Sequence, residues 1–387
     1  MGPPEARACV VDATHGGVVL SDALHELGLD VVLVDVYDTL EEPREYPVVR
    51  RAFGSYDLVA VPVHCGVDFG PVRGPRVTHH ALAGALASGV KEGPLFEVTG
   101  VRGKTTTATY LARILEEAGH DPAVSTTDES PVGRPSVTPA RVLEVVEGCR
   151  PPYVCEVSLG VTVAADWAVF TGAPYDYKIA QGRESAVRAK VRTIEEALEW
   201  GARVIVEARK GVRVGLRGPG VVRVEVRPGR ARAPGLSLEW EPFGIAFHDR
   251  CFGLAAVTAV LSGLADGEDV SAARERGFAR GRLELRDGEL VDAHPAVNEE
   301  TVEYALRVAA DRWSEFGVVI GGDPGGYCEG VDVDRVARVL ERWVRSGRVV
   351  GVEFVGKLGE AVRRRLEVDV GEIPPGVPVV RIIRKGD

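Results

Sequence analysis

The sequence predicts an α/β protein built on buried parallel sheets, and three features predict it. Apolar runs such as Val31-Val32-Leu33-Val34-Asp35-Val36 and Leu58-Val59-Ala60-Val61-Pro62-Val63 are continuous rather than alternating, the pattern of strands covered on both faces. Stretches with helical spacing alternate with these runs. Polar, glycine-containing turns follow directly on them, where open α/β sheets place their ligand crevice. A chain of 387 residues has room for two or three domains of ~100–200 residues each.

Taken in order, Cys9-Val10-Val11 is a short first strand, and Asp12-Ala13-Thr14-His15-Gly16-Gly17 is its polar turn. Ser21 to Leu27 is helical in pattern and Gly28 stops it. The strands at 31–36 and 58–63 complete a small α/β unit, the second ending at His64-Cys65-Gly66. Pro94 opens another unit: strand Leu95 to Val98, a glycine turn, and a helix from Lys104 to about Ala118. Ala108, Leu111, Ala112, Leu115 and Ala118 share one face of that helix, and Gly119 ends it. Strands follow at Tyr153 to Val157 and Ala168 to Thr171, then several short ones in the Arg-, Gly- and Val-rich stretch 201–240. A helix from Cys251 to Leu264 closes this unit. The pattern restarts after Arg282, with strands 289–292, 317–320 and 349–354 interleaved with helices 299–312 and 333–346. The domains expected are therefore 1–92, 93–280 and 281–387.

Composition excludes several classes of function. The net charge is −10, which argues against nucleic acid or an anionic membrane as main partner. No apolar run approaches the ~18 residues of a membrane span, and the start lacks a basic segment followed by an apolar core, so a cytoplasmic protein is expected. The six cysteines are scattered without a Cys-x-x-Cys pair and read as free thiols. One Asn, one Gln and seven Lys against forty Arg give the composition of a hyperthermophile's protein, except that Lys is usually enriched there.

The strongest local signal is Val98-Thr99-Gly100-Val101-Arg102-Gly103-Lys104-Thr105-Thr106-Thr107, between a strand and a helix. Backbone N–H groups of such a loop and the helix N-terminus cradle phosphates, the lysine reaches the terminal phosphates, and a Thr hydroxyl can hold Mg²⁺. Val98 stands where the G-x-x-x-x-G-K-[ST] consensus has its first glycine. The shorter T-G-x-x-G-K-T-T fits at every fixed position. Thr99, Gly100, Val101, Arg102, Gly103, Lys104, Thr105 and Thr106 are the expected phosphate contacts, and the family resemblance that this motif carries implies ATP and Mg²⁺ as cofactors.

That short form resembles the Mur ligase family, the ATP-dependent ligases that include the muramyl–amino acid ligases and folylpolyglutamate synthetase. Further stretches fit in order. Val154-Cys155-Glu156-Val157-Ser158 resembles the family's strand-end glutamate, which makes Glu156 with Thr105 the expected magnesium ligands; a solvated charge is the other reading of Glu156. Residues 169–177 resemble I-T-N-x-x-x-D-H, and Ala186 to Lys190 its downstream lysine. The resemblance implies a Lys190 that is carbamylated to supply a further carboxylate, or else a plain lysine on a helix surface. His248 to Ala256 looks like H-N-x-x-N-x-x-A-A, Gly281-Arg282-Leu283-Glu284 like G-R-x-E, and Val291-Asp292-Ala293-His294-Pro295 like D-Y-A-H-N-P. By the same resemblance Arg282 is the arginine for the γ-phosphate, Asp292 binds ribose or orients the closing domain, and His294 stands near the transferred phosphate. Lys104, Glu156, Arg282 and Lys190 are thus the expected catalytic residues. The resemblance covers about residues 94–330 and implies a three-domain architecture: Rossmann-like N-terminal domain, central P-loop ATPase domain, Rossmann-like C-terminal domain.

The departures are informative. The family's Asp-His is Asp176-Tyr177 here, its Asn pair is Asp249 and Phe252, and the first domain lacks loops for a UDP-sugar. What remains is Thr14, His15 and Gly16, His64, and Thr78-His79-His80, all in or next to turns after strands. Incidental imidazoles in turns and caps are one reading; a crevice for a large anionic substrate is the other. The D-x-T-H-G-G turn with V-T-H-H looks like the branch of the family that acts on a nickel-containing tetrapyrrole carboxylic acid. The resemblance then implies an acyl phosphate made from a propionate and captured by a ring carbon of the same molecule. An amide-forming ligase with a separate amine, and a nucleotide-controlled binding protein without turnover, are the alternatives.

Overall fold

A computed structural model describes residues 6–174, 176–208, 215–279, 282–294, 297–322 and 332–384, with only the backbone of His294 and Arg384. The chain divides into two compact units, Met1–Arg276 and Gly277–Asp387.

The first unit holds a five-stranded and an eight-stranded sheet, besides two small two-stranded ones. In the first sheet, β1 (Arg7–Val11) is followed by helix α1 (Val18–Glu26), β2 (Asp30–Val34), β3 (Val48–Val49), β4 (Leu58–Val61) and β5 (Arg76–Thr78). The spatial order is β3-β2-β1-β4-β5, with every pairing parallel. Val10 is registered with Leu33 on one side and Ala60 on the other, so β1 lies in the middle and its end is the natural seat of a site. Helix α2 (His79–Val90) returns from β5 and leads into the second sheet.

That sheet contains β6 (Leu95–Thr99), β7 (Ala123–Ser125), β8 (Tyr153–Glu156), β9 (Trp167–Phe170), β10 (Arg203–Glu207), β11 (Val221–Arg227), β12 (Arg230–Ala233) and β13 (Leu236–Glu239). Its order is β13-β12-β11-β10-β9-β6-β8-β7, with β12 and β13 antiparallel additions to an otherwise parallel sheet. Helices α3 (Lys104–Glu117), α4 (Pro139–Gly148), α5 (Ala186–Glu199), α6 (Ala246–Ser262) and α7 (Gly267–Glu275) accompany it. All five residues of β6 are buried, the charged Glu97 and the polar Thr99 among them, as befits a strand inside a sheet covered on both faces.

The second unit is a five-stranded sheet of β14 (Glu284–Arg286), β15 (Glu289–His294), β16 (Phe316–Gly321), β17 (Val349–Val355) and β18 (Val379–Arg384), in the order β14-β15-β18-β16-β17. Its helices are α8 (Glu299–Arg312), α9 (Val333–Arg345) and α10 (Gly356–Arg363). Asn298 caps α8 with a side-chain bond to the Thr301 N–H of 2.9 Å, answered by Thr301 Oγ1 on the Asn298 N–H.

Three expectations need correction here. His79 and His80 are not loop residues: they form the first turn of α2, whose cap is Thr78 Oγ1 accepting from Ala81 N–H at 3.0 Å. The sequence His-His-Ala-Leu-Ala-Gly-Ala-Leu-Ala-Ser-Gly-Val is small and apolar nearly all round, so it shows no polar face to mark a helix. Lys190 is not a surface lysine either; it is 1% exposed on α5. The helix expected at Cys251 begins at Ala246, because His248, Asp249 and Arg250 are buried polar residues.

Candidate active site

The phosphate loop is shaped by its glycines. Gly100 has φ 146°, and a Cβ there would lie 2.1 Å from Thr171 Oγ1. Gly103 has φ 91° and would place its Cβ 3.0 Å from Cys251 Sγ. Both positions suit glycine and no larger residue. Thr171 pins the loop from the neighbouring strand end, donating to the Arg102 carbonyl at 2.7 Å, while Val101 N–H donates to the Gly172 carbonyl at 3.0 Å. Thr99 is buried at the end of β6, Arg102 is buried with its guanidinium over the Phe247 ring, and Lys104, Thr105 and Thr106 form the first turn of α3. The loop therefore ends on a helix N-terminus, an anion seat by its dipole and unpaired N–H groups.

Glu156 stands beside it because β8 is the parallel neighbour of β6, with Glu156 registered on Val98. Its Oε2 accepts from Thr105 Oγ1 at 2.7 Å and from the Thr127 N–H at 3.2 Å, and its Oε1 lies 3.6 Å from Lys104 Nζ. Glu156 is 3% exposed, so the solvated-charge reading does not hold. Two hard oxygen donors beside a phosphate seat are a fitting pair for a divalent cation. Thr127 completes this group, its hydroxyl 3.0 Å from that of Thr105. Sequence reasoning missed it; the signal was Thr126-Thr127-Asp128 directly after a strand.

Other family-like positions have structural work. Asp176 accepts from Ser185 Oγ at 2.6 Å and from Val187 N–H at 3.1 Å at the start of α5. Asp249 is buried and its Oδ1 accepts from Gly229 N–H and Trp240 Nε1, both at 3.0 Å, tying β12 and β13 to α6. Tyr110 Oη and His248 Nδ1 are hydrogen-bonded at 2.6 Å inside a ring cluster with Phe243 and Phe252. In the second unit, Arg282 is nearly buried and donates to the Ala293 carbonyl, and Asp292 is buried on β15. The His294 side chain, Gly281, Pro295, Tyr175 and Cys328 lie outside the described residues; the other five cysteines are free.

A second constellation lies at the end of β1. Asp12 is fully buried, with a left-handed backbone (φ 75°, ψ 87°) uncommon for a side chain other than glycine. Its Oδ1 accepts from the His15 N–H at 3.2 Å, its Oδ2 lies 2.7 Å from His15 Nδ1 and 3.3 Å from His64 Nε2, and the two imidazoles meet edge to face at 4.5 Å. Burial by itself would push the Asp12 carboxyl up; the contacts with His15 and His64 outweigh it and hold it well below the usual carboxylate range. Gly16 (φ 98°) lets the turn pass within contact of α4, where a Cβ would sit 2.7 Å from that of Ala140. Thr14 Oγ1 pairs with Thr39 Oγ1 at 2.9 Å.

His15 and His64 thus come together as expected, around an Asp12 that sequence reasoning quoted only as part of the turn. His79 and His80 do not line an open crevice: both are buried, and burial holds them down near 4 and 3 respectively, in the neutral form. His80 Nε2 donates to the Ser158 carbonyl at 2.9 Å, two residues past Glu156. The turn at β1 and the phosphate loop are therefore joined through adjacent residues of α2.

No protein-family profile matches the chain. It is similar over nearly its whole length to two curated proteins. One is a coenzyme F430 synthetase of Methanocaldococcus jannaschii, 24% identical and covering 91% of each chain. The other, of the same name from Methanosarcina acetivorans, is 26% identical and covers 96% of this chain and 94% of its own. Among solved structures, a pseudomurein peptide ligase type C from Methanothermus fervidus matches 98% of this chain and 97% of its own at 12% identity, TM-score 0.52. A bifunctional folylpolyglutamate synthase/dihydrofolate synthase from Yersinia pestis, complexed with AMPPNP and Mn, covers 79% of this chain and 90% of its own at 14% identity, TM-score 0.53. The fold is that of the three-domain Mur-type and folylpolyglutamate-type ligases.

Proposed function

We propose that the chain is an ATP-dependent ligase of the Mur type that activates a substrate carboxylate as an acyl phosphate, and that its reaction is that of a coenzyme F430 synthetase. The observation that carries this reading is the convergence of Lys104, Thr105 and Glu156 at one sheet end, in a chain similar over more than nine-tenths of its length to two proteins of that name. The substrate is then a nickel-containing tetrapyrrole carboxylic acid. One carboxylate oxygen attacks the γ-phosphorus of ATP and the bond to the β–γ bridging oxygen breaks, leaving ADP and the acyl phosphate. A ring carbon of the same molecule attacks the acyl carbon, its proton is lost, and phosphate departs as the carbon–carbon bond closes the ring.

The chain's own residues have defined tasks in this scheme. Loop N–H groups from Gly100 to Thr105 and the α3 N-terminus seat the phosphates, and Lys104 leaves Glu156 to neutralise charge on the group being transferred. Thr105 and Glu156 would hold a divalent ion, Mg²⁺ in this reading, which when bound adds further charge neutralisation. Arg282 is assigned to the γ-phosphate, and Asp292 and His294 to the nucleotide, by their resemblance to the G-R-x-E and D-Y-A-H-N-P signatures. Lys190, buried on α5, is assigned to the metal side; Thr14, His15, Gly16 and His64 to the substrate side, with His79 and His80 as its buried support. An intramolecular carbon nucleophile needs only a near-attack geometry and no amine site. We take 1–92, 93–280 and 281–387 as the substrate, ATPase and closing domains, in an enzyme of the cytoplasm. Among the described residues no helix is long and apolar enough to cross a membrane.

The test is phosphate release by the purified protein with Mg-ATP and the nickel seco-acid alone. Release of one phosphate per ring closed is expected. Release that requires an added amine, or none under either condition, would overturn the cyclising reading.

A further inference from the structure

The Asp12 constellation gathers more imidazole around one buried carboxylate than a turn requires. His64 Nε2 is buried and, although 3.3 Å from Asp12 Oδ2, makes no aligned hydrogen bond. Behind it His79 is fully buried, within electrostatic reach of Asp12 and His64, with the backbone of Val11 and His15 as its polar neighbours. A buried His64 nitrogen set against a buried carboxylate that His15 already engages needs a reason. Among the described residues, Asp12 forms ion pairs with His15 and His64 and with no lysine or arginine.

We propose that Asp12, His15 and His64 bind a resident first-row divalent transition ion of the Zn²⁺ or Ni²⁺ class, at a site separate from Thr105 and Glu156. One donor atom from each residue lies within 4.8 Å of the other two. Donors bound at ~2.1 Å to a single ion stand roughly 3–3.4 Å apart, and the observed Oδ2 separations of 2.7 and 3.3 Å bracket the lower part of that range. A small spreading of His15 from Asp12, with its proton on Nε2, opens the centre. Two imidazoles and one carboxylate suit a borderline ion and suit Mg²⁺ poorly, since Mg²⁺ favours oxygen donors. Three protein donors leave coordination positions open, and both imidazoles are about one-fifth exposed, so a ligand from solution can reach them. Three convergent donors also fit a bare ion better than a macrocycle's nickel, which presents only axial positions. This assignment does not rest on the ligase reading.

The experiment uses the full chain, purified without a polyhistidine tag and stripped with chelator, titrated calorimetrically with Zn²⁺ and Ni²⁺ and optically with Co²⁺. One equivalent is expected to bind, with Co²⁺ developing visible bands that excess Mg²⁺ does not remove. His15→Ala and His64→Gln are each expected to weaken binding at least tenfold, while Glu156→Ala leaves it unchanged. If either variant does not fold, the wild-type Co²⁺ spectrum still decides. Absence of bands and heat in the wild type would overturn the proposal. So would binding lost in Glu156→Ala and kept in the histidine variants. Spectral change only with the nickel tetrapyrrole, and none with bare ions, would assign the imidazoles to the substrate's nickel and overturn a resident ion. Failure of ATP turnover leaves these readouts intact.

Discussion

Glu97 lies on β6 two residues before Thr99, and it is fully buried. Its carboxyl accepts from the Thr162 N–H at 2.7 Å and from the Thr162 hydroxyl, yet burial outweighs both and raises it from the ordinary 4.5 to about 7. The folded chain therefore holds this proton over a range where the unfolded chain has released it. Stability falls as pH rises from 4.5 towards 7, and is flat outside that window as far as Glu97 is concerned. The gap corresponds to about 3 kcal/mol, the order of one well-packed core side chain. Glu97→Gln keeps an acceptor for the Thr162 N–H and cannot ionise. Urea unfolding of the two proteins side by side, from pH 4 to pH 8, isolates this group because the other titrations cancel in the difference. Wild type is expected to lose about 3 kcal/mol relative to Glu97→Gln across the window. A difference that stays constant with pH, or one that grows in favour of wild type, would refute the reasoning.

The remaining predictions concern the two sites. Lys104→Ala is expected to lower ATP turnover by about 10²–10³-fold with circular dichroism unchanged, since the side chain reaches from a helix start into the site rather than into the core; near-normal turnover in the folded variant would remove the phosphate-loop assignment. Glu156→Ala should raise the Mg²⁺ concentration for half-maximal turnover about tenfold or more, read by titrating Mg²⁺ at fixed ATP. His15→Ala should raise the KM for the tetrapyrrole about tenfold and leave that for ATP in place, a loss of ground-state binding away from the nucleotide; unaltered KM and kcat would make the turn structural.

The elements that sequence reasoning placed well share a physical cause. β1, β2 and β4 carry apolar runs buried in their sheet, β6 and β8 are apolar apart from Glu97, Thr99 and Glu156, and α3 has a polar side that gives its stripe contrast. α2 has no such contrast, so nothing in the sequence marks His79 and His80 as helical. The phosphate loop was legible because its geometry needs glycine at fixed steps, at Gly100 and Gly103. Thr127 and Asp12 were not, because their roles come from β7 beside β8 and from β4 bringing His64 to β1, which are contacts distant in sequence. Lys190 could be quoted as a motif residue, but its burial depends on how α5 lies on the sheet.

Helix α2 sets a limit on how this protein could be rebuilt. At its start His80 bonds the Ser158 carbonyl, and one turn later Gly84 passes so close to the segment after β8 that a Cβ would lie 2.5 Å from the Val163 nitrogen. Both contacts belong to the eight-stranded sheet's side, although α2 begins directly after a strand of the other one. Inserting one residue between them would turn the helix by roughly 100° and break their common register. A chimaera that swaps the N-terminal part at a border near residue 92 would cut a matched pair of surfaces, whereas a graft joined at the β5–α2 corner, before Thr78, would carry the fitted helix along with its own eight-stranded sheet.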